Sequence, residues 1–421
     1  MLIIKDPEII KQIAIQDFGH FTDHRDFVKP ELDLLWSRNL LASKGERWRD
    51  LRQLLSPIFT SSKIKTMYKL MTEAAIDFIE HFNARNEDVI ELDIKKVFTR
   101  YTNDVIATTA FGVKVDSLNE PNNTFYSMGQ KLTNLRGILN LIKFVLLPTM
   151  PKICKYLGIK FLNPTAAEYF HEVVNDTIKA REENQIVRQD LIHLLLEARK
   201  NQSDVNPKRI VEISNTDITS QALIFFFAGF DTAASAMSFG CYELAVNKDI
   251  QDRLREEVMQ VAKNGRVTYE SLQEMKYMDM VLSEILRKWP PFPDLDRVCT
   301  KSYTIESIHI KKGQHITVPI LSIQRDPKYF PNPDKFDPKR FSDENKHSLV
   351  PYSSLAFGLG PRMCIGRRFA ETEIKALLFN LLLNYEIVMT SKTVKEAKLT
   401  SDNLLDMEGG FHLGLKRIKP Q

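Results

Sequence analysis

The feature that most restricts the fold is a long apolar stretch at residues 218–242, in which Asp231 is the single charged residue. Its length would allow a helix to cross a bilayer, yet it begins with the polar residues Thr219, Ser220 and Gln221. A helix that is apolar on all sides also occurs at the centre of large helical proteins. We interpret the stretch as a buried helix, which requires enough surrounding chain to cover it.

The length and composition of the chain are sufficient to form a core around this helix. The chain has 421 residues, 43% apolar and 27% charged, which is typical of globular proteins and not of collagen-like or disordered chains. The formal net charge is only +4 and no basic tail is present, which argues against nucleic acid as a partner. The cysteines form no C-x-x-C pair, so a reducing compartment fits best and neither a disulfide framework nor a zinc cluster is indicated. They are Cys154, Cys241, Cys299 and Cys364.

The hydrophobic pattern predicts a mainly α fold with a small β region. Helical periodicity dominates the first 290 residues, and β-forming residues cluster after Pro290 and Pro291. Apolar residues at i, i+3 and i+4 spacing predict one further helix through 374–382. The other elements that the pattern predicts are helices at 46–56 and 88–112, strands at 303–305, 308–310 and 315–318 around a turn at 311–314, and a strand at 411–418.

A second apolar segment, at residues 138–162, is interrupted by Pro148, Pro151 and several lysines. This pattern suits a segment that lies on a membrane surface better than one that crosses a membrane. A pair of short core helices would explain it equally well, so both interpretations stay open.

The sharpest feature is the sequence F-G-L-G-P-R-M-C-I-G at residues 357–366, directly before the last predicted helix. Glycines allow the backbone to approach a flat, bulky group and leave N–H groups free to face a thiolate. A thiolate at Cys364 would also lie near a helix N-terminus, where negative charge is favoured. These are the requirements of a metal-bound sulfur, although a buried, inert cysteine is the ordinary alternative.

This loop resembles the haem-binding loop of the cytochrome P450 monooxygenases, whose pattern is F-G-x-G-x-R-x-C-x-G. The resemblance implies the cytochrome P450 fold and a haem cofactor, iron protoporphyrin IX, with the Cys364 thiolate as the ligand of its iron. It also implies haem contacts from Phe357 and Gly366. All six fixed positions of the pattern match this chain, at Phe357, Gly358, Gly360, Arg362, Cys364 and Gly366.

A second motif, A-G-F-D-T at residues 228–232, places an acid and an alcohol in the apolar helix, where a buried ionisable group is costly. Taken alone, it would be explained by a satisfied aspartate or a helix kink at threonine. By resemblance it is the oxygen-activation segment of the family. Gly229 would leave room beside the iron for dioxygen, Thr232 would hydrogen-bond the oxygen, and Asp231 would supply protons through water.

Two further sets of residues follow from the resemblance. Glu284 and Arg287, at i, i+3 on a helix, would form a buried ion network with Arg340, which we assign to structure because such a network offers nothing that reacts. Haem also carries two propionates, which need cationic partners, preferably arginine. The implied partners are Trp48 and Arg52 at i, i+4, together with Arg297 and Arg362.

The motifs follow the family's order from Trp48 to Gly366, so the resemblance implies a single catalytic domain at residues 1–421. Microsomal animal members begin with a membrane anchor and the first helix and strands of a small sheet, whereas this chain opens at what resembles the next helix, 6–15. We therefore expect a form that lacks that anchor and those strands. Relatives lie on the cytosolic face of the endoplasmic reticulum membrane, and residues 226–232 most resemble the insect detoxifying members.

The implied reaction inserts one oxygen atom from O2 into a hydrophobic substrate, with electrons from NADPH delivered by NADPH-cytochrome P450 reductase. Apolar and aromatic substrate walls are implied at 21–36, 225–232, 292–295 and 409–411, which favour a xenobiotic, a hormone or a lipid. A membrane surface is a further expected partner. A basic docking face for the reductase would come from Arg47, Arg49, Lys63, Lys65, Arg367 and Arg368.

Two other functions stay open. A related haem protein would isomerise peroxides without a reductase, but Asp231 and Thr232 argue against it because that chemistry needs no proton relay. A truncated chain would instead be a non-catalytic haem-binding form, either a poor haem binder or a carrier or decoy.

Overall fold

The computed structural model describes residues 1–26, 28–135, 137–205, 213–263, 267–400 and 405–418. Its contacts divide the chain into two compact units. Unit 1 comprises Met1–Phe21, Met71–Tyr101 and Thr232–Gln421, and unit 2 comprises Thr22–Leu70 and Thr102–Asp231. The single catalytic domain that the sequence suggests for 1–421 stays a prediction.

Helix is the main regular structure of both units, which confirms the predicted mainly α fold. The α-helices of the described residues are α1 (Pro7–Lys11), α2 (Leu34–Ser37), α3 (Gly45–Leu55), α4 (Ser61–Asn83), α5 (Ile94–Ile106), α6 (Thr124–Thr133), α7 (Ile138–Thr149), α8 (Pro151–Tyr156), α9 (Pro164–Asn184), α10 (Leu191–Val205), α11 (Asn215–Val246), α12 (Lys248–Lys263), α13 (Tyr269–Gln273), α14 (Lys276–Lys288), α15 (Ile320–Gln324) and α16 (Arg367–Asn384). Gln12–Gln16 and Ala107–Phe111 are π-helical, and short 3-10 turns lie at Phe18–His20, Ser56–Phe59, Pro338–Phe341, Lys346–Ser348 and Gly360–Arg362.

The strands of the described residues lie in unit 1 and form three small sheets. They are β1 (Leu2–Ile3), β2 (Val89–Asp93), β3 (Leu295–Val298), β4 (Tyr303–Ile305), β5 (Ile308–Ile310), β6 (His315–Val318), β7 (Tyr385–Met389) and β8 (His412–Arg417). In the first sheet β6 lies between a parallel β1 and an antiparallel β3, with Ile316 opposite both Leu2 and Arg297. In the second sheet β8 lies between β2 and β7, and β4 pairs only with β5.

Several predicted elements are confirmed because their apolar stripes are buried. The helix predicted at 46–56 is α3, with Trp48, Leu51, Leu54 and Leu55 buried, and it ends where Pro57 enters a 3-10 turn. The last predicted helix is α16, and the strand predicted at 411–418 is β8. The residues of the α16 stripe that are buried as predicted are Ile374, Leu377, Leu378, Leu381 and Leu382.

Three predictions are wrong in part. Helix does not run through 88–112, because Val89–Asp93 forms β2, in which Ile90 is buried between exposed neighbours as in a strand. The turn at 311–314 does not close a hairpin, since β5 and β6 belong to different sheets and the hairpin is β4–β5. The chain does not open at a helix either, because β1 precedes α1 and pairs with β6.

The apolar stretch that restricts the fold forms α11, which begins in unit 2 and ends in unit 1. Among the described residues it is the one helix long and apolar enough to cross a membrane, and 67% of its most apolar window is buried inside the protein. That burial favours the interpretation as a core helix. In unit 2 its Phe226 ring lies 5.0 Å from the ring of Phe170 and 5.8 Å from that of Phe125.

The segment 138–162 contains α7 and α8, which leave much apolar surface exposed. Leu139 and Tyr156 are 74% and 90% exposed, while Leu147 and Cys154 are among the few buried side chains. The two segments are therefore short helices, as one interpretation predicted, but they are not core helices.

A buried ion network in unit 1 confirms the grouping of Glu284, Arg287 and Arg340. Arg287 Nε and Nη2 donate to the two carboxylate oxygens of Glu284 at 2.6 and 2.8 Å, and both side chains are fully buried. Arg340 Nε lies 3.4 Å from Glu284 Oε1, which also accepts the Asp337 N–H at 2.8 Å. Because Arg287 Nη1 donates to Gln324 O at 2.9 Å, the network ties α14 to α15.

The network predicts a large loss of stability when one partner is removed. Arg287→Met leaves the Glu284 carboxylate buried without its main partner, which should lower the free energy of unfolding by about 3–5 kcal/mol. Lys276→Met is the control, because Lys276 and Asp343 form an exposed pair at 3.4 Å whose loss should leave stability nearly unchanged. Urea unfolding of the two variants and the parent chain measures the difference, and equal midpoints would contradict the network's stabilising role.

Candidate functional site

The loop that carries Cys364 is shaped by hydrogen bonds within its own backbone. The Gly358 N–H donates to Leu355 O at 2.7 Å, the Met363 N–H to Gly360 O at 2.9 Å, and the Cys364 N–H to Phe357 O at 2.9 Å. The loop ends at Gly366, the N-cap residue of α16. Cys364 therefore lies at the start of a long helix, where the partial positive charge of the helix favours a thiolate.

Position 360 has no room for a side chain, so only glycine fits there. Its φ of +73° lies in the left-handed region, and a Cβ at this position would stand 1.9 Å from the carbonyl oxygen of Ala14. Ala14 belongs to the π-helical turn Gln12–Gln16 of the same unit. The amino-terminal segment and the cysteine loop thus meet backbone to backbone.

Exposure separates Cys364 from the other three cysteines. Cys154, Cys241 and Cys299 are at most 1% exposed, whereas Cys364 is exposed. Burial raises the pKa of the Cys241 thiol, and it raises the pKa of Cys299 as well. A raised pKa disfavours the thiolate that a metal binds, so Cys364 is the cysteine best suited to that role.

Arg297, on β3, is a buried cation with too few partners of its own. Its side chain is 5% exposed; Nη1 donates to Asp296 O at 2.7 Å, and Nε has no hydrogen-bond partner among the described residues. Burial lowers the pKa of Arg297, and the nearby Asp296 opposes that shift. Leu295 of the same strand packs against the loop, 3.6 Å from the position of a Cβ on Gly358. The fold therefore brings β3 against the cysteine loop.

The remaining predicted residues of unit 1 belong to the same loop or lie on α11. Arg362 is half-buried in the 3-10 turn before Met363, and Arg367 lies 5.5 Å above the ring of Phe357. A Cβ on Gly366 would meet no described atom within 4 Å, so that side of the loop is open. Thr232 is half-buried on α11.

Unit 2 holds the other four predicted residues. Trp48 is buried on α3, and Arg52 follows one turn later and is half-buried, as their spacing predicts. Asp231 is half-buried on α11. A Cβ on Gly229 would lie 3.0 Å from Ile106 Cδ1, so packing against α5 is itself a reason for glycine here. A role in admitting dioxygen stays a proposal for Gly229.

The chemistry of these residues fits a haem group. The unpartnered Nε of the buried Arg297 calls for an anion such as a propionate, since a buried cation without partners is destabilising. The exposed Cys364 supplies a sulfur ligand, and the open side of Gly366 admits a flat group close to the backbone. Haem is thus compatible with the donors that unit 1 presents.

Two polar residues that follow or contact the predicted motifs were missed by sequence reasoning. Thr102 Oγ1 donates to Phe230 O at 2.7 Å, beside the A-G-F-D-T motif, but the two residues are 128 positions apart and no local signal joins them. Glu373 is fully buried on α16, and neither of its carboxylate oxygens has a partner among the described residues. Burial raises the pKa of Glu373 well above its usual range. Its position four residues before Leu377, on the apolar stripe, was the signal that could have found it.

Comparisons with known proteins agree with this site. The family model described as cytochrome P450 matches residues 1–413. Cytochrome P450 9e2 of Blattella germanica is 41% identical, over 99% of this chain and 83% of that protein. Probable cytochrome P450 9f2 of Drosophila melanogaster is 42% identical, over 99% and 84%, and probable cytochrome P450 6a13 of the same species is 38% identical, over 99% and 84%.

The helical fold and the cysteine loop define a haem-thiolate protein, and the comparisons specify which kind. The chain belongs to the cytochrome P450 family. It is accordingly an oxidoreductase of the monooxygenase class, with thiolate-ligated haem as its cofactor and NADPH as the family's indirect electron source. The predicted family, fold and cofactor are confirmed.

Replacement of Arg297 should weaken haem retention but should not lower the stability of the haem-free chain. Arg297→Met removes a buried cation that the protein alone does not satisfy, so the haem-free chain should unfold at the same or a higher urea concentration. The loaded chain should release haem about tenfold faster, because a charge-assisted contact to a propionate is lost. Transfer of haem to an excess of apomyoglobin gives the rate.

Arg325→Met is the matched control for this experiment. Arg325 donates to Lys288 O at 2.9 Å and lies 4.4 Å over the Trp289 ring, so it is satisfied without haem. This variant should lower stability in both forms. A similar pattern in the two variants would contradict a haem contact at Arg297.

Proposed function

We propose that this protein inserts one oxygen atom from O2 into an apolar substrate at a haem held by Cys364, with electrons passed from NADPH by a partner reductase. The observation that carries the proposal is the exposed cysteine at the start of α16, in a loop closed by its own backbone hydrogen bonds. Bound haem supplies the redox-active iron at which dioxygen is activated. The rest of the chemistry belongs to side chains of this chain.

The first task of those side chains is to hold the cofactor. Cys364 provides the thiolate ligand, which the start of α16 stabilises electrostatically. Arg297 and Arg362 in unit 1 supply cations for propionates, and Trp48 and Arg52 in unit 2 supply an indole N–H and a guanidinium from one helical face. Phe357 and Gly366, in the same loop as Cys364, would supply further haem contacts.

Proton delivery is the second task, and it falls to the polar pair on α11. Asp231 and Thr232 are half-buried within a helix whose following residues are almost all buried. Asp231 takes protons from water at its carboxylate oxygens, and Thr232 donates a hydrogen bond from Oγ1 toward the reacting oxygen. A relay of this kind is needed to cleave dioxygen and not to isomerise a peroxide.

The proposed substrate is apolar, and the accessible aromatic side chains of α11 are the main support for this. Phe225 and Phe227 are half-buried and directly precede the oxygen motif, whose first residue, Ala228, is exposed. Phe292 is also exposed. Phe411, expected to form a wall, is instead buried against Phe239 with ring centroids 4.8 Å apart, and residue 27 of the wall at 21–36 lies outside the described residues. A xenobiotic, hormone or lipid remains the proposed class.

The reductase would dock on basic side chains, but some of these already form ion pairs within the protein. Arg47 donates to the buried Asp217 at 2.7 Å, and Arg367 pairs with Glu371 at 2.8 Å. Arg368 is exposed directly after the cysteine loop and is the better docking residue. Unchanged reductase-supported turnover in Arg368→Glu would exclude it.

We further propose that the protein lies on the cytosolic face of the endoplasmic reticulum membrane through α7 and α8. Exposed apolar residues on these helices stand beside Lys152, Lys155 and Lys160, a combination suited to an interface of lipid headgroups and acyl chains. The exposed apolar side chains are Ile138, Leu139, Leu141, Ile142, Val145, Met150, Ile153, Tyr156 and Leu157.

A vesicle experiment tests this placement. The double variant Leu139→Glu, Ile142→Glu should bind phosphatidylcholine–phosphatidylserine vesicles at least about tenfold more weakly, because two apolar side chains no longer enter the acyl region. Ile76→Glu, on the exposed side of α4, is the control and should bind like the parent chain. Equal binding by all three proteins would exclude α7 and α8 as the contact.

The spectrum of the reduced, carbon monoxide-bound protein tests the ligand. The parent chain should show the red-shifted band of a thiolate-ligated ferrous haem, and Cys364→Ala should abolish it. Cys154→Ala, at a buried cysteine, should keep the band. Absence of the band from the parent chain after haem addition would favour the non-catalytic form.

Thr232 is tested through the coupling of NADPH use to product. Thr232→Val removes the hydroxyl donor, so oxidation of a 7-alkoxycoumarin should slow about a hundredfold while more NADPH is diverted to hydrogen peroxide. Thr232→Ser should restore much of the rate. Thr219→Val is the control, since the Thr219 hydroxyl donates to Asn215 O at 3.0 Å within α11. Unchanged coupling in Thr232→Val would contradict the relay.

A further inference from the structure

One buried carboxylate joins two distant segments of unit 2. Asp33 Oδ1 accepts the Trp36 N–H at 3.1 Å and so caps α2, while Oδ2 accepts the Leu162 N–H at 2.9 Å. Leu162 lies 129 positions later, between α8 and α9, and Asp33 is only 5% exposed. A helix cap needs one oxygen; the second oxygen of Asp33 is used to hold another part of the chain.

The two segments that Asp33 joins each carry an aromatic ring, and these two rings contact each other. The ring centroids of Trp36 and Phe161 are 4.3 Å apart, and Phe161 directly precedes Leu162. Trp36 also meets Phe227 of α11 in an edge-on arrangement at 5.6 Å. The positions of two of these three rings therefore depend on one side chain, and the third ring is packed on them.

Polar contacts fix the same segment to α11. Ser220 Oγ donates to Leu35 O, and the amide of Gln221 accepts the Leu40 N–H at 3.0 Å and donates to Arg38 O at 2.9 Å. Residues 35–40 are thus bound along the first turns of α11. Phe227 is two turns further on and one turn before Asp231, which places the ring cluster next to the oxygen motif.

We propose that Asp33 is a positioning residue for the substrate: it holds the buried rings of Trp36 and Phe161 behind the half-buried Phe227, and the Phe227 ring, supported in this way, selects apolar substrates that carry an aromatic ring. The inference rests on the proposed function, because it takes the α11 face at Phe227 and Ala228 as the place where the substrate lies. Phe225, also half-buried, lies one helical turn before Ala228. Aromatic rings favour edge-on or offset contacts with another ring, which explains the preference.

The burial of Asp33 supports a role beyond capping. Asn123 and Asn163 cap α6 and α9 with neutral amides, each accepting one N–H. A carboxylate in a buried position is costly, and burial raises the pKa of Asp33 while the Leu162 and Trp36 N–H groups oppose that shift. A carboxyl group offers two acceptor oxygens, and here each of them accepts an N–H from a different segment.

Hydrogen–deuterium exchange on the full chain tests the positioning without haem. In Asp33→Ala, amides of 34–40 and of 159–163 should both exchange about tenfold faster, because each segment loses its contact to the same carboxylate. Asn123→Ala is the control, which removes the cap contact to the Tyr126 N–H and should affect α6 alone. Faster exchange at 34–40 only would show that Asp33 is merely a cap and would overturn the proposal.

Azole binding to the haem-loaded protein tests the selection. The parent chain should bind 4-phenylimidazole more tightly than imidazole, and Asp33→Ala should reduce this preference about tenfold. Trp36→Leu should do the same, and the double variant should add little because both act through the position of the Phe227 ring. An unchanged preference in Asp33→Ala with a normal spectrum would overturn the proposal.

Failure of the Asp33 proposal can be distinguished from a folding defect and from failure of the proposed function. If Asp33→Ala does not fold, Asp33→Asn takes its place, since its amide retains one acceptor and should loosen one of the two segments. If the parent chain gives no thiolate spectrum and no azole shift, the proposed function has failed and the substrate role fails with it. The exchange experiment then decides by itself whether Asp33 positions both segments.

Discussion

A thiol that binds iron must be accessible and easily deprotonated, and burial in a protein core works against both. Unit 1 resolves this conflict by closing the Cys364 loop with backbone hydrogen bonds and by placing its sulfur at the start of α16. The protein buries its other three cysteines, where the pKa is raised or the side chain is simply packed. Leu295, on the strand that carries Arg297, packs against this loop, so the accessible cysteine has fixed surroundings.

The same balance between burial and chemistry occurs in α11. A helix this apolar has to be covered, and most of it is, yet it keeps Ala228, Asp231 and Thr232 at least partly accessible. Thr102 donates to a backbone carbonyl next to these residues, and Gly229 packs closely on Ile106. The polar interruption therefore lies in a well-packed helix, and its side chains have little freedom to move away from their positions.

Local patterns in the sequence were sufficient for much of the fold. The stripes of α3 and α16 and the i, i+3 pair Glu284–Arg287 depend on spacing within one helix, and each was predicted. β2 was missed because its five residues continue directly into the helical pattern of α5. The short first strand was missed because two residues carry no periodicity and are defined only by pairing with β6.

The residues of the site could be predicted only from the resemblance to the cytochrome P450 family, and not from hydrophobic periodicity or spacing. Neither Arg297 nor Arg340 has a local signal, and the family motif alone suggested them. Asp33 had no signal of either kind, because its second partner lies far along the chain and a capping aspartate looks ordinary in sequence. Interactions between distant segments are set by packing, and a single sequence does not display them.

The contact between Gly360 and Ala14 has a practical consequence for anyone who modifies this protein. The amino-terminal segment is usually treated as the part of a chain that tolerates fusions, tags and deletions. Here its backbone touches the loop that carries the metal ligand, so a change that shifts the turn Gln12–Gln16 is transmitted to Cys364 without any alteration of the loop itself. Variants that differ only at this end should be compared by their haem spectra as well as by their yield.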